Sequence, residues 1–330
     1  MTVPPPATAP PPATGPLQVT GDLAALLGGP VVLDELKHKP GRRRTWRATG
    51  TRRSAIVKVY ASGRAATVAG RIAALEGGPA SPEVPRVLLV DVDAHMLVLS
   101  EVPGPPLREA VLAGDFAACR LAGAAVGAWH RWWADALLLA TGTNPMPLRP
   151  HTAERELETL TARAADVPPS IRDGVLALAD GLSEPWSCST VIHRDLYEEQ
   201  VMVAPGGRVG LIDLDDAGLG PPELDLGNLL AHLDLLGLRS GVATAPAAGA
   251  IVDGYTRAGP APDAGLLDRC RRLTLLRLAC IHREQSLLDA AAAATRHAHS
   301  PNAERIEAAV FACPSSSEMP SSSSVVRSSE

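Results

Sequence analysis

Two short apolar stretches in this chain each run into an aspartate. In "VIHRDLYEEQVMVAPGGRVGLIDLDDAG", which begins at Val191, Asp195 follows a His-Arg pair, Gln200 comes five positions later, and Asp213 closes the second stretch. If "GLIDLD" is a strand, its period of two puts Asp213 and Asp215 on one face, and the turn "APGG" folds it back on "VMV" beside Gln200. A carboxylate and an amide oxygen meeting at one point make a hard-oxygen site suited to Mg2+, an ion that keeps phosphates and water among its ligands. Asp195, on the loop just before, is placed to accept a proton from an attacking hydroxyl. These are the parts that phosphoryl transfer needs, because that reaction relies on positioning and charge neutralisation. The cation for nucleotide phosphates is Lys58 in "AIVKVY", whose apolar neighbours would hold its ammonium toward a cleft. Taken alone, Lys58 reads as a solvated strand lysine; the acidic loop downstream reverses that.

The elements that must position these residues fall into two groups. A short helix "GDLAALLG" precedes strands "TWRAT" and "AIVKVY", joined by a turn containing Gly50, then a small-residue helix "RAATVAGRIAALEGG" and strands "RVLLVDVD" and "HMLVLSEV". After "PGPPL" at 103–107 the chain turns Ala- and Leu-rich with helical periodicity. The clearest helix is "DFAACRLAGAAVGAWHRWWADALLLA", with Leu121, Val126, Trp129 and Trp133 expected near one face. Further helices are expected at 152–165, 169–183, 225–237, 246–257 and 264–296. The fold class is α+β: a small antiparallel β-rich N-lobe at 17–102 and a larger helical C-lobe at 103–312, with a ligand cleft between them. Residues 1–16, rich in Pro and Ala, and 313–330, rich in Ser, read as disordered tails.

The 330 residues suffice for two lobes, and the formal net charge of -5 gives no basic field for nucleic acid. No segment has the roughly 18 uninterrupted apolar residues of a membrane span, and the N-terminus has no signal-like h-region, so a cytoplasmic protein is expected. The five cysteines, Cys119, Cys188, Cys270, Cys280 and Cys313, are widely spaced with no CxxC, which points to reduced thiols and gives zinc no support. His130 and His232 read as satisfied helix histidines.

The H-x-D motif, the amide five residues later, the second Asp at a strand end, and the later "GLGPPELDLGNLL" together resemble the aminoglycoside phosphotransferase and choline kinase-like group of the protein-kinase-like fold, over residues 30–290. By that resemblance the protein is a bilobal small-molecule kinase with ATP or GTP and Mg2+ as cofactors. Asp195 would be the catalytic base, with Gln200 and Asp213 holding the metal and Lys58 the nucleotide phosphates. In "LSEVPG" at 99–104, the backbone of Glu101 and Val102 would receive adenine. His193 would pack and hydrogen-bond within its loop, and Asp225 would brace that loop from a helix start.

Four positions depart from the family pattern. Gln200 stands where Asn is usual; some members such as maltokinases are similar to this chain in having Gln there. Val68 stands in place of the usual helix Glu partner of Lys58, with Glu76 the remaining candidate. A single Gly41 in "KHKPGRRRTW" replaces a glycine-rich run, and Arg42, Arg43 and Arg44 there read as phosphate charge or as a solvated basic loop. Arg194 replaces a common Gly and reads as structural. Ala217 to Leu224 contain no Ser, Thr or Tyr, so neither a phosphorylated activation loop nor a protein substrate is expected. Glu198, Glu199, Asp215, Asp216 and Glu223 would form an acidic mouth for a cationic amino-sugar or amino-alcohol acceptor, with a neutral sugar as the competitor; Trp132 could stack on a sugar. Two rival readings remain: a catalytically silent kinase-like nucleotide- or ligand-binding protein, and an Asp-x-Asp phosphatase of the haloacid dehalogenase type, which would leave Asp195 and Lys58 unexplained.

Overall fold

The computed structural model describes residues 21–139, 148–179 and 181–298, with side chains to 294. The tails expected at 1–16 and 313–330, and Cys313, lie outside the described residues. After α1 (Gly21–Leu27), strands β1 (Val32–Lys39), β2 (Arg43–Thr49), β3 (Ser54–Tyr60), β4 (Val87–Asp91) and β5 (Met96–Ser100) form an antiparallel sheet in the order β1-β2-β3-β5-β4. Helix α2 (Ala65–Ala73) lies between β3 and β4.

Strand alternation divides the sheet into two faces. Ala55, Val57, Met96 and Val98 pack with Leu23 and Leu27 of α1. Residues of the opposite face, among them Tyr60, Leu97 and Leu99, join Val68 and Ile72 of α2 in the main core. That core continues into the helical lobe through Val126 and Trp129, so one apolar body fixes the two lobes together.

The larger lobe contains α3 (Leu107–Ala113), α4 (Phe116–Leu139), α5 (Ala153–Ala164), α6 (Pro169–Leu178), α7 (Pro222–Ser240), α8 (Ala245–Ala258), α9 (Ala264–His282) and α10 (Gln285–Ala298). Between α6 and α7 lie four three-residue strands: β6 (Thr190–Ile192) pairs with β9 (Gly218–Gly220), and β7 (Val201–Val203) pairs with β8 (Val209–Leu211).

Several elements differ from the sequence expectation. Strand β1 was not expected, because it is an edge strand exposed along most of its length, and "VLDELKHK" carries no apolar alternation. The single helix expected at 264–296 is two, broken where Arg283 takes left-handed φ 55° with no Gly or Pro to mark it. Helix α7 begins three residues early, at Pro222, because proline fits the first helical turn. Leu121 is 46% exposed rather than core. The buried stripe of α4 instead runs through Cys119, Ala122, Val126 and Trp129, with Gly123 beside it.

That glycine has a packing reason. A Cβ on Gly123 would stand 2.0 Å from the Ile251 carbonyl oxygen of α8, and one on Gly254 2.0 Å from the Arg120 carbonyl oxygen of α4. The two helices therefore touch backbone to backbone. Gly123→Ala should cost about 2–3 kcal/mol, read by denaturant unfolding, because neither backbone can move away without opening the core.

Candidate functional site

Lys58 sits on β3 opposite Thr45 of β2 and Leu97 of β5, on the sheet face shared with Ile56 and Tyr60. Alternation therefore turns its ammonium away from α1 and toward the helical lobe. There it meets the residues after β8, which ends at Leu211. Asp213 adopts left-handed φ 62°, and Leu214–Asp216 form one turn of 3-10 helix. The two aspartates do converge, but through this turn rather than along one strand face. A left-handed non-glycine costs about 1–2 kcal/mol, which short polar side chains tolerate best.

The converging charges are tightly paired. Lys58 Nζ lies 2.8 Å from Asp213 Oδ1 and 2.6 Å from Asp215 Oδ1. The Arg43 guanidinium, at the start of β2, donates to Oδ2 of both aspartates. Tyr60 donates its hydroxyl to Asp215 Oδ2 at 2.9 Å, and burial, followed by the Asp215 charge, keeps that phenol protonated. Burial opposes ionisation of Asp213, yet Lys58 and Arg43 outweigh it and hold the carboxyl well below its usual range. Arg43 is therefore neither a solvated loop residue nor a bystander, whereas Arg44 pairs with Glu35 and stacks 4.9 Å from the Trp46 ring. The β1–β2 connection is a tight turn at Gly41, φ 66°, rather than a glycine-rich loop.

A cavity of about 270 Å3 opens between the sheet and the β7–β8 hairpin, with Lys58, Arg43, Asp213 and Gln200 along one side. Ile56, Leu99, Val102, Met202 and Ile212 supply apolar walls that suit a flat aromatic ring. Glu101 lines the cavity too, although its carboxylate is committed to Arg47, 2.5 Å away, and to Ser54. Gln200 is 4% exposed, and its backbone carbonyl accepts from Ile212 N at 3.0 Å, which registers it beside Asp213. Gly104, φ 112°, carries the chain between lobes so close to β7 that a Cβ there would lie 2.6 Å from Ala204 N.

Asp195 stands outside this cavity, on a loop held mainly through its backbone. Asp225 accepts from His193 N at 2.6 Å and Arg194 N at 2.7 Å, and its Oδ2 also meets His130 Nε2 at 3.1 Å. Asn228, one helical turn further along α7, donates to the Leu196 carbonyl at 2.6 Å. His193 is fully buried, with Nε2 donating to the Ile212 carbonyl at 2.8 Å, so the ring links the two loops. Arg277 Nη2 lies 3.7 Å from Asp195 Oδ1. Burial works against the Asp195 carboxylate, but Arg277, His193 and Arg194 together keep its pKa below the ordinary value.

Sequence reading missed Arg277 and the partners of Arg194. A lone arginine inside the apolar run "LTLLRLAC" was the available signal for the first. Arg194 has left-handed φ 71°, and its side chain turns to Glu156 at 3.3–3.4 Å.

The expected acidic mouth is not a set of free carboxylates, although Glu199 does line the cavity. Asp215 is bound as described, Asp216 pairs with Arg64 at 3.2 Å, and Glu199 pairs with Arg108 at 3.1 Å. Glu223 accepts from Asp263 N at 2.8 Å, and Glu198 is 5% exposed with its carboxyl pushed up by burial to about 7. Burial depresses His232 to about 4, with Arg277 adding to the effect, and the ring stacks on Tyr197 at 4.7 Å. Trp132 is 46% exposed, while Trp129 is fully buried. Cys119, Cys188, Cys270 and Cys280 are free thiols, and no described helix is long and apolar enough to cross a membrane.

An antiparallel lobe with a strand lysine facing an aspartate turn, joined to a helical lobe that braces an H-x-D loop, is the protein-kinase-like fold. A profile of the phosphotransferase enzyme family matches residues 40–266, and the chain belongs to that family. Solved structures share the fold at low identity. An aminoglycoside phosphotransferase from Streptomyces rimosus, in complex with ADP and streptomycin, has TM-score 0.55 and 19% identity over 79% of this chain and 98% of its own. An amicoumacin kinase in complex with AMP-PNP, Ca2+ and Ami has TM-score 0.58 and 14% identity over 80% of this chain and 87% of its own. A choline kinase from Cryptosporidium parvum Iowa II has TM-score 0.53 and 10% identity over 85% and 91%. No curated protein matches the chain.

The buried group under Arg194 generates a stability prediction. Burial would raise the Glu156 pKa, but His151 Nδ1 at 2.9 Å, Arg194 and Arg277 lower it from 4.5 to about 2. The folded value lies below the unfolded one, so this stabilisation is complete above about pH 5 and is lost as pH falls toward 2. It amounts to about 3 kcal/mol. Urea unfolding between pH 7 and pH 3 should show a shallower acid loss for Glu156→Gln than for wild type, starting from a lower stability.

Proposed function

We propose that this protein is a small-molecule kinase that moves the terminal phosphoryl group of ATP or GTP to a hydroxyl of its acceptor. The observation that carries this reading is the meeting, at one cleft, of Lys58, Asp213 and Gln200, with ionised Asp195 on the adjoining loop. Among the described residues no group of three or more His, Cys, Asp or Glu can hold a metal by itself. The donor set nevertheless fits Mg2+, because Asp213 offers a fully ionised carboxylate at the cavity wall and Gln200 an amide oxygen, with phosphates completing the shell. Bound there, the metal would neutralise phosphate charge. Lys58 would bind the phosphates from the sheet side, the apolar walls would take the base at Glu101 and Val102, and Asp195 would orient the acceptor hydroxyl and receive its proton.

The acceptor is read as a neutral hydroxyl compound such as a sugar. The carboxylates expected to attract a cation are paired or buried, and the charges acting on Asp195 include those of the cations Arg277 and Arg194.

One observation favours the second reading, a catalytically silent kinase-like binding protein: Arg43 and Lys58 together occupy the Asp213 carboxylate. Calorimetric titration of ATP and GTP, with and without Mg2+, into wild type and Asp213→Asn separates the two. The kinase predicts metal-dependent binding that is lost in the variant; binding indifferent to Mg2+ and to Asp213 leaves the silent protein. Asp195→Asn should retain nucleotide affinity within about twofold while turnover falls by roughly 10^2–10^4.

A further inference from the structure

Lys58 is 4% exposed, yet the helix after β3 brings no carboxylate to it. Val68 is wholly buried in the core, and Glu76, past the end of α2, is exposed. A buried ammonium without an anion is strongly unfavourable, so its partner must come from elsewhere. Two carboxylates meet it, and they are not equivalent. Asp213 lines the cavity, whereas Asp215, with its side chain 6% exposed, does not. Asp215 is also fixed by more of the small lobe. Lys58 occupies Oδ1, Arg43 and Tyr60 share Oδ2, and Arg71 of α2 donates to its backbone carbonyl.

Building on the phosphotransferase reading of the cleft, we propose that Asp215 is the positioning residue for Lys58, the permanent anion that keeps its ammonium at the cavity wall when the metal takes Asp213, to which Lys58 and Arg43 are also bonded here. Helix α2 contributes through Arg71, by fixing the turn that carries Asp215, rather than through a carboxylate of its own. Without Asp215, Lys58 and Arg43 have Asp213 as their remaining shared partner in the turn. Two cations would then compete with the metal for one carboxylate. Loss of Asp215 should therefore weaken metal and nucleotide together, although Asp215 touches neither.

The test titrates ATP and GTP with Mg2+ into wild type, Asp215→Asn and Asp215→Glu, with thermal unfolding of each. Asp215→Asn should bind the Mg2+-nucleotide roughly tenfold or more weakly, since it removes charge-assisted bonds to a buried cation, and Asp215→Glu should recover most of that loss. In turnover assays the nucleotide KM should rise while the acceptor KM stays constant. A lower melting temperature with wild-type nucleotide affinity would mean a purely structural residue and would overturn the proposal. If Asp215→Asn does not fold, Tyr60→Phe, which removes one donor to Asp215, should weaken binding about threefold, and unchanged affinity there overturns it equally. Wild type without Mg2+-dependent binding overturns the phosphotransferase reading and this inference with it; wild type that binds, beside variants that bind equally well, overturns this inference alone.

Discussion

A lysine and an arginine held out of water against two carboxylates set the terms for the rest of this structure. The side chains of Lys58, Arg43, Asp213 and Asp215 are 5%, 10%, 16% and 6% exposed. Any one of these charges alone would be driven toward solvent or neutralised. Together they cancel, and hydrogen bonds occupy the lone pairs, which is the condition for keeping ions in a dry site. Each charge imposes a local geometry. Lys58 needs the cleft face of β3, Arg43 needs a tight β1–β2 turn at Gly41, and the aspartates need a left-handed residue followed by one turn of 3-10 helix.

The loop carrying Asp195 is held by the same economy of polar groups. Its amides at His193 and Arg194 find Asp225, and its carbonyl at Leu196 finds Asn228. Both partners sit on α7, one helical turn apart, so a single buried helix fixes the backbone of the whole turn. Helix α9 adds Arg277, which bonds Asn228 and faces Asp195, and thereby ties the ionised carboxylate to the same scaffold.

Much of this was legible in the sequence because short motifs carry their own geometry. The His-Arg-Asp loop, Gln200, Asp213 and Asp225 were read in order, and the structure sets them around one cleft and its adjoining loop. The strands β2 to β5 were legible because they are short runs rich in β-branched, aromatic and apolar residues bounded by turns. Strand β1 was not, because an exposed edge needs no apolar alternation, and the break at Arg283 was not, because a left-handed arginine has no local signature. The acidic mouth failed for a general reason: a list of carboxylates says nothing about which arginine or backbone amide each one meets. Asp216 meets Arg64 and Glu223 meets the Asp263 amide, both far away in the chain. Arg43 was hidden by its neighbours, since three consecutive arginines read as a solvated loop until one of them is found buried.

The departures from the family pattern are linked through charge. A chain without a helix carboxylate for Lys58 must find that anion elsewhere, and Asp215 lies in the turn that already carries Asp213. A second aspartate in a buried turn then requires a second cation, which is Arg43, placed on the connection that lacks a glycine run. The pair of changes leaves the cluster neutral. The lysine's ion pair thereby rests on a turn hydrogen-bonded to β2, β3 and α2. On the proposed reading, the placement of Lys58 therefore depends on the 213–216 turn and not on a carboxylate of α2.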